Sequence, residues 1–117
     1  MGPDMYLRDS NDNEVVYWRK ANQIHAWFDN CLGGVENLEV YRITESMVKE
    51  LLSTCRNVLA NPDKAQELLP TQSGFFFGST EYGEWYFDDI TYTIEKFEQI
   101  MKTFNFKRNQ LYYTAWW

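Results

Sequence analysis

The sequence has little of what most catalytic and metal sites require. Its 117 residues include one histidine and two cysteines, and no Cys-x-x-Cys pair occurs. Structural zinc sites need several such ligands at short, characteristic spacings. We therefore expect no metal site and no cofactor, and we expect Cys31 and Cys55, which each lie among apolar residues, to be reduced thiols in the core.

Long apolar runs and a surplus of positive charge are also missing. No stretch approaches the roughly 20 apolar residues of a membrane span, and Met1 to Asp4 do not begin like a signal peptide. These absences predict a cytoplasmic protein that has no membrane contact. Seventeen acids against eleven bases give a net charge of -6, and because such a surface repels phosphate backbones, no direct nucleic-acid binding is expected.

Aromatic residues, by contrast, are abundant. Five Trp, eight Tyr and eight Phe contribute to an apolar share of 44%, which is enough for a core without disulfide or metal support. Residues 1–14 are polar and without periodicity, so we expect a flexible lead-in there. Residues 15–117 are then expected to form a single globular domain with an aromatic-rich core.

Apolar spacing predicts a first amphipathic helix that begins at Glu14. Its buried stripe recurs at intervals of three and four residues and comprises Tyr17, Ala21, Ile24, Phe28 and Cys31. Gly33 and Gly34 follow, and glycine commonly accepts the left-handed conformation just past a helix C-terminus. The first helix is therefore expected to end before Gly33.

A second helix, a short helix and several extended pieces follow from local signals. Thr44 is the expected N-cap of the second helix, whose buried stripe is Val48, Leu51, Leu52, Cys55 and Leu59. Pro62 is expected to open a short helix that Pro70 closes. Residues 38–43, 75–77 and 111–117 are expected to be extended or strand-like. The predicted fold class is therefore α+β, mostly α, with three main helices.

The strongest periodic signal belongs to a long third helix that begins near Glu84. Six apolar residues are spaced alternately by three and four, and they are Phe87, Ile90, Ile94, Phe97, Met101 and Phe104. Such a stripe is typical of a coiled-coil seam. The helix is expected either to lie across the domain core or to pair with a second copy in a homodimer.

No residue pattern indicates catalysis. The sequence shows no pattern for a nucleophile with its base or for a metal cluster. It also has no pattern for a phosphate-binding loop, because the segment Gly74 to Gly78 carries three phenylalanines where such a loop needs small residues. His25 is the one histidine, and on a helix among aromatics it is typical of a structural residue. The expected protein is not an enzyme.

A second hypothesis is that the protein has a binding pocket. In it the protein is a small-ligand or metal-binding accessory protein, and its pocket lies between the first helix and the loop GFFFGSTEY. The residues that would line this pocket are Trp18, His25, Glu84 and Asp88.

The third helix also carries a concentration of negative charge. Between Glu81 and Glu98 there are six acids against one base, Lys96, and at 100° per residue most of them fall away from the apolar stripe. Trp85 and Tyr92 lie beside them, and such aromatics are common anchors of protein interfaces. The predicted partner-binding residues are Glu81, Glu84, Trp85, Asp88, Tyr92 and Glu95. The alternative is that the aromatic tail, or the first helix with Arg19 and Lys20, covers this face within the molecule.

Two stretches, YWRKANQIHAWF (Tyr17 to Phe28) and LPTQSGFFFGSTEYGEWYFDDI (Leu69 to Ile90), resemble an uncharacterised family of small proteins encoded by bacteriophages and prophages. The likeness extends from Val16 to Met101. It implies a protein made inside a bacterial cell that binds and inhibits or modulates a host protein. The implied partner is a nucleic-acid-handling or defence enzyme such as a CRISPR nuclease.

Overall fold

The computed structural model describes residues 4–73 and 79–117, and within them the fold is α+β, as expected. Four strands form one antiparallel sheet, and helices cover one of its faces. The strands are β1 (Asp4–Asp9), β2 (Glu14–Arg19), β3 (Val40–Ile43) and β4 (Leu111–Trp116). The helices are α1 (Asn22–Leu32), α2 (Glu45–Ala60), α3 (Ala65–Leu68) and α4 (Glu84–Thr103), and a 3-10 turn (Pro62–Lys64) precedes α3. The expected strand at 75–77 lies outside the described residues.

The sheet order is β2-β1-β4-β3, so β1 is an interior strand. It pairs antiparallel with β2 on one side and with β4 on the other. Met5 and Leu7 point into the core and are fully buried. The expectation of a flexible lead-in over residues 1–14 is therefore wrong for Asp4–Asp9, which pair with the adjacent β2 and with β4 at the far end of the sequence.

The predicted helix from Glu14 is also wrong over its first turns, where the chain forms β2. Val16 and Trp18 are buried while Tyr17 between them faces the other side of the sheet, which is the alternation of a strand. A tight turn joins β1 to β2, and in it the carboxylate of Asp9 accepts bonds from the backbone N–H groups of Asn11 and Asn13. This short polar turn produces the hairpin.

Helix α1 keeps the second half of the predicted stripe. Ile24 and Phe28 are buried, and Gly33 ends the helix in the left-handed conformation, with φ of 75°, as predicted. Cys31 is exposed rather than buried, because it lies in the last turn of α1, where Asn30 and Gly33 are exposed as well. The expectation of a core thiol is correct only for Cys55.

The signals for α2 are confirmed in most particulars. The hydroxyl of Thr44 accepts a hydrogen bond from the backbone N–H of Met47 at 3.2 Å, and Pro62 begins the 3-10 turn. Val58 rather than Leu59 completes the buried stripe, since Leu59 is 41% exposed. The extended segment over residues 38–43 is realised as β3.

Helix α4 lies across the core and packs against α2. Ile90 and Phe97 are fully buried as expected, and Tyr86, Thr93 and Ile100 join them. The apolar stripe is therefore used inside the domain, as in the first of the two arrangements expected from its spacing. The described residues give no support to a homodimer through this helix.

Aromatic rings fill the centre of the core. Phe28 and Tyr113 stack with their centroids 4.1 Å apart, and Trp18 meets Phe28, Phe97 and Tyr113 edge-on. Such edge-on contacts add to the free energy gained from burial alone. The predicted aromatic-rich core is confirmed. None of the described helices is both long enough and apolar enough to cross a bilayer.

Candidate functional site

A cleft lies where the end of β2 and the start of α1 face the first turns of α4. Its wider part has a volume of about 530 Å³, which is within the range of small-molecule and side-chain pockets. The described residues that line it are Arg19, Lys20, Gln23, Ser79, Glu81, Gly83, Trp85, Tyr86 and Asp89. We refer to this feature as the Trp85 cleft.

Buried polar side chains hold the walls of the cleft together. The amide of Asn22 donates to the carbonyl of Gln72 at 2.8 Å and accepts from the N–H of the same residue at 2.7 Å. Gln23 donates from Nε2 to the carbonyl of Tyr86 at 3.0 Å, and the Tyr86 hydroxyl donates to Leu69 at 2.6 Å. These bonds fix α1 against α4, so the cleft is preformed.

A constrained turn places two cations on one wall. Lys20 connects β2 to α1 with φ of 57°, a conformation that few residues other than glycine adopt. Its carbonyl accepts a bond from the N–H of Asn22, which stabilises the turn. Arg19 and Lys20 are both exposed, and both line the wider part of the cleft.

Asp89 faces these cations from α4. Burial raises the pKa of its carboxyl to about 6, and the neighbouring charge of Asp88 adds to the effect. Within the described part of the chain, no ion pair joins Asp89 to Arg19 or Lys20. A half-buried carboxylate without a paired charge is costly, and perturbed groups of this kind concentrate at functional sites.

Trp85 stands at the rim of the cleft with 80% of its surface exposed. Among the predicted partner-binding residues, Glu84, Asp88 and Glu95 are exposed with it. Glu81 is exposed too, but it precedes α4 and so does not belong to the helical stripe on which the prediction placed it. Together Glu81, Glu84, Trp85, Asp88 and Glu95 form what we call the acidic face.

Tyr92 differs from the other predicted contact residues. It is only partly exposed, and its hydroxyl bonds to the backbone of Tyr17 on the edge strand β2. The ammonium of Lys96 lies 5.7 Å from the centre of its ring. Tyr92 therefore helps to close the edge of the sheet, and its place in the contact surface stays a prediction. Its packing realises part of the alternative in which the same molecule covers this face.

The structure does not assemble the alternative pocket of Trp18, His25, Glu84 and Asp88. The two carboxylates are exposed, whereas Trp18 and His25 are buried in the core. The indole N–H of Trp18 donates to the hydroxyl of Thr93 at 2.9 Å. This residue set is therefore wrong, although the Trp85 cleft lies in the predicted region, between the first helix and the segment after Gly78.

His25 is a structural residue, as expected. Its Nδ1 lies 2.8 Å from the hydroxyl of Tyr113, and its surface is fully buried. Burial lowers its pKa to about 4, so the ring is neutral near pH 7. Over residues 4–73 and 79–117, no cluster of three or more His, Cys, Asp or Glu side chains has a geometry that would hold a metal ion.

Sequence reasoning missed Arg19, Lys20, Gln23 and Asp89 as cleft residues. All four lie within the stretches Tyr17 to Phe28 and Leu69 to Ile90, but no local pattern in those stretches marks them as neighbours. Comparisons with protein families, with curated proteins and with solved structures found no match for this chain.

Proposed function

We propose that the protein acts by binding another protein, without catalysis, through the acidic face and the adjoining Trp85 cleft. The exposure of Trp85, at 80% of its surface, is the observation that carries the proposal. A tryptophan in water forgoes the free energy of burial, and the residue is a common hot spot where two proteins meet. A partner that covers Trp85 would recover this free energy.

Charge indicates the chemistry of the partner. The acidic face has four exposed carboxylates, of which Glu84 and Asp88 are within a turn of Trp85 on α4, whereas Glu98 further along α4 is neutralised by Arg56 at 2.8 Å. Complementary charge accelerates association and excludes partners of the wrong sign. The proposed partner therefore presents a basic surface with a recess for the indole ring.

The phage-like resemblance supplies the biological setting of the proposal. The partner is then a host bacterial protein, and the protein inhibits or modulates it. Enzymes that handle nucleic acid, including defence nucleases, carry the basic surfaces that the acidic face would fit. Carboxylates arranged along a helix would compete with phosphates for such a surface.

A capture experiment tests the proposal. Immobilised wild-type protein is incubated with bacterial lysate beside Trp85→Ala and Asp88→Lys, and Trp116→Ala is the matched control because it also removes an exposed tryptophan. We expect a protein that the wild type and the control retain and that both acidic-face variants lose. Its affinity, measured with purified components, should fall as salt rises. Equal retention by all four proteins would show that the acidic face is not the contact surface.

A second candidate function is the binding of a small polar ligand, and the Trp85 cleft favours it. Asp89 and Lys20 face the same cavity, so a ligand that carries a cationic and an anionic group would be paired at both ends. A thermal-shift screen of zwitterionic metabolites and nucleotides tests this candidate. A rise in Tm that is lost in Asp89→Asn supports it, and a rise that the variant retains contradicts it.

A further inference from the structure

The face of the sheet opposite the helices carries a cluster of aromatic rings. Tyr6, Tyr17, Tyr112 and Trp116 all project from this side, because their neighbours in the strands are buried in the core. The Tyr6 ring lies 5.2 Å from that of Tyr17 and 5.9 Å from that of Trp116, both tilted. We call this surface the outer sheet face.

The rings are accessible from solvent. Trp116 is 47% exposed and Val40, which projects from the same side of the edge strand β3, is 61% exposed. The three tyrosines are half-buried, because each is flanked by its cross-strand neighbours. Rings held at their edges by a sheet lose little conformational freedom when a ligand stacks on them.

Arginines flank the rings on both sides. The strand register places Tyr17 opposite Tyr6, with Arg19 in the row on one side of this pair and Arg8 in the row on the other. Arg42 lies opposite Tyr112, in the same row as Arg8. Three of the five arginines in the chain thus project from this face, and Arg19, at the end of the edge strand β2, also reaches the Trp85 cleft.

Three acids, Asp4, Asp12 and Glu14, lie on or beside the same face, and the first two are engaged. The carboxylate of Asp4 accepts a 2.6 Å bond from the hydroxyl of Tyr17, and Glu14 lies at the start of β2 opposite Arg8. Arg8 also contacts Asp12 at 3.2 Å, in a pair whose aspartate is 80% exposed. Such exposed pairs contribute little and are easily exchanged. The guanidinium of Arg8 lies 4.6 Å above the Tyr6 ring, which is a stacked position.

We propose that the outer sheet face binds single-stranded nucleic acid, with bases stacked on the rings of Tyr17 and Trp116, on either side of Tyr6 and its stacked Arg8, and with phosphates bound by Arg19 and Arg42. Rings and cations side by side on an open surface are the two elements that sequence-tolerant single-strand binding requires. A duplex keeps its bases stacked on each other, so it offers this surface no ring to bind.

This proposal departs from the expectation that the net charge of -6 excludes nucleic acid. Net charge is a sum over the whole surface, whereas binding depends on the charges within a Debye length of the contact, about 10 Å at ordinary salt. The carboxylates of the acidic face belong to the helix layer, on the opposite side of the sheet. Among the described arginines of the outer sheet face, Arg8 alone is in an ion pair, so Arg19 and Arg42 remain available to phosphates.

An acidic polypeptide is the competing occupant. It would satisfy the arginines but would leave the aromatic rings without stacked partners. A row of rings is better matched by bases, because every base has a π-face and stacks without regard to sequence. We therefore make the acidic polypeptide an arm of the test.

The experiment measures fluorescence anisotropy with labelled oligonucleotides of about 12 nucleotides, a length that suits one small binding surface. The probes are oligothymidylate, oligouridylate, the corresponding duplex and an oligoglutamate peptide, in about 50 mM salt, where phosphate contacts are strong. Variants Trp116→Ala and Arg42→Glu alter the outer sheet face. Their controls are Trp85→Ala, which also removes an exposed tryptophan, and Lys64→Glu, which also reverses an exposed positive charge.

We expect both single strands to bind, the duplex to bind more weakly, and affinity to fall as salt rises. Trp116→Ala should weaken binding by at least about fivefold, the lower limit for loss of one base–aromatic stack. The controls should bind like the wild type, and circular dichroism should show that every variant is folded. A preference for DNA over RNA, or the reverse, would identify the natural source of the strand.

Three results would overturn the proposal. One is no binding of either single strand at low salt, and another is equal weakening by the two controls. The third is binding of oligoglutamate in place of the oligonucleotides, which would assign the outer sheet face to an acidic polypeptide. Since Trp85→Ala is the control here and the test variant for the acidic face, failure of either proposal is distinguishable from failure of the other.

Discussion

Replacement of Thr93 by valine should destabilise the fold without leaving a cavity. Thr93 is fully buried on α4. Its hydroxyl accepts a hydrogen bond from the indole N–H of Trp18 at 2.9 Å and donates one to the carbonyl of Asp89 at 2.7 Å. Valine has nearly the same shape, so the main effect is to leave the buried indole N–H without an acceptor. Such an unsatisfied donor costs about 1–3 kcal/mol.

The assay is urea unfolding at pH 7, followed by tryptophan fluorescence and by far-UV circular dichroism. We expect the free energy of unfolding to fall by about 2 kcal/mol in Thr93→Val, with an unchanged slope against urea. For a domain of this size, that loss corresponds to a fall in Tm of roughly 5–10 °C.

Thr103→Val is the matched control for this prediction. Thr103 is exposed on the same helix, and its hydroxyl donates to the carbonyl of Gln99 at 2.8 Å, so the chemical change is the same but no buried group loses a partner. Its effect should stay within about 0.5 kcal/mol. A double-mutant cycle with Trp18→Phe should give a coupling energy of about 1 kcal/mol. If the two threonine variants lose equal stability, the bond between Trp18 and Thr93 does not contribute as argued.

Three further predictions concern ionisable groups. Because burial lowers the pKa of His25 to about 4 from 6.5, the unfolded chain binds a proton in this interval that the folded protein does not. The free energy of unfolding is therefore not reduced by His25 above pH 6.5, and it falls by about 3 kcal/mol as the pH drops to 4. In His25→Gln, urea unfolding should not show this fall. The same pH profile in the variant would show that His25 does not cause it. The effect of Asp89 on stability has the opposite dependence on pH. Since its pKa is raised to about 6, the carboxyl favours folding only when it is protonated. Asp89→Asn should therefore increase Tm at pH 7 and leave it nearly unchanged at pH 4, and the reverse order would refute the argument. Cys31 is exposed, whereas Cys55 is buried and its pKa is raised to about 12. A thiol reagent should therefore modify Cys31 in the native protein and Cys55 only after unfolding. Modification of both cysteines in the native protein would place Cys55 outside the core.

The elements that sequence reasoning identified are those with local signals. Thr44 and Pro62 mark the two ends of α2, and both act on residues within a turn of their own position. The spacing of apolar residues along α4 likewise depends only on the helical period. These features could be predicted because the interactions that produce them join residues that are close together in the sequence.

The strands β1 and β2 were missed because their stability is not local. The spacing of Tyr17 and Ala21 suits a helix, while the burial of Val16 and Trp18 depends on a sheet whose other half lies at the far end of the sequence. The region of the Trp85 cleft was predicted, but most of its lining residues were missed for a similar reason. Asp89 is one of several acids along α4, and only folding places it opposite Lys20 and raises its pKa.

The pairing of β1 with β4 has a consequence for how the protein is made. The interior ladder of the sheet joins residues 4–9 to residues 111–116, so a nascent chain emerging from the ribosome cannot form it until its last strand has been released. Closing so large a loop costs entropy before any contact repays it, which slows folding. Until then the edge of β1 that pairs with β4 stays open, and an unpaired strand edge is prone to aggregation.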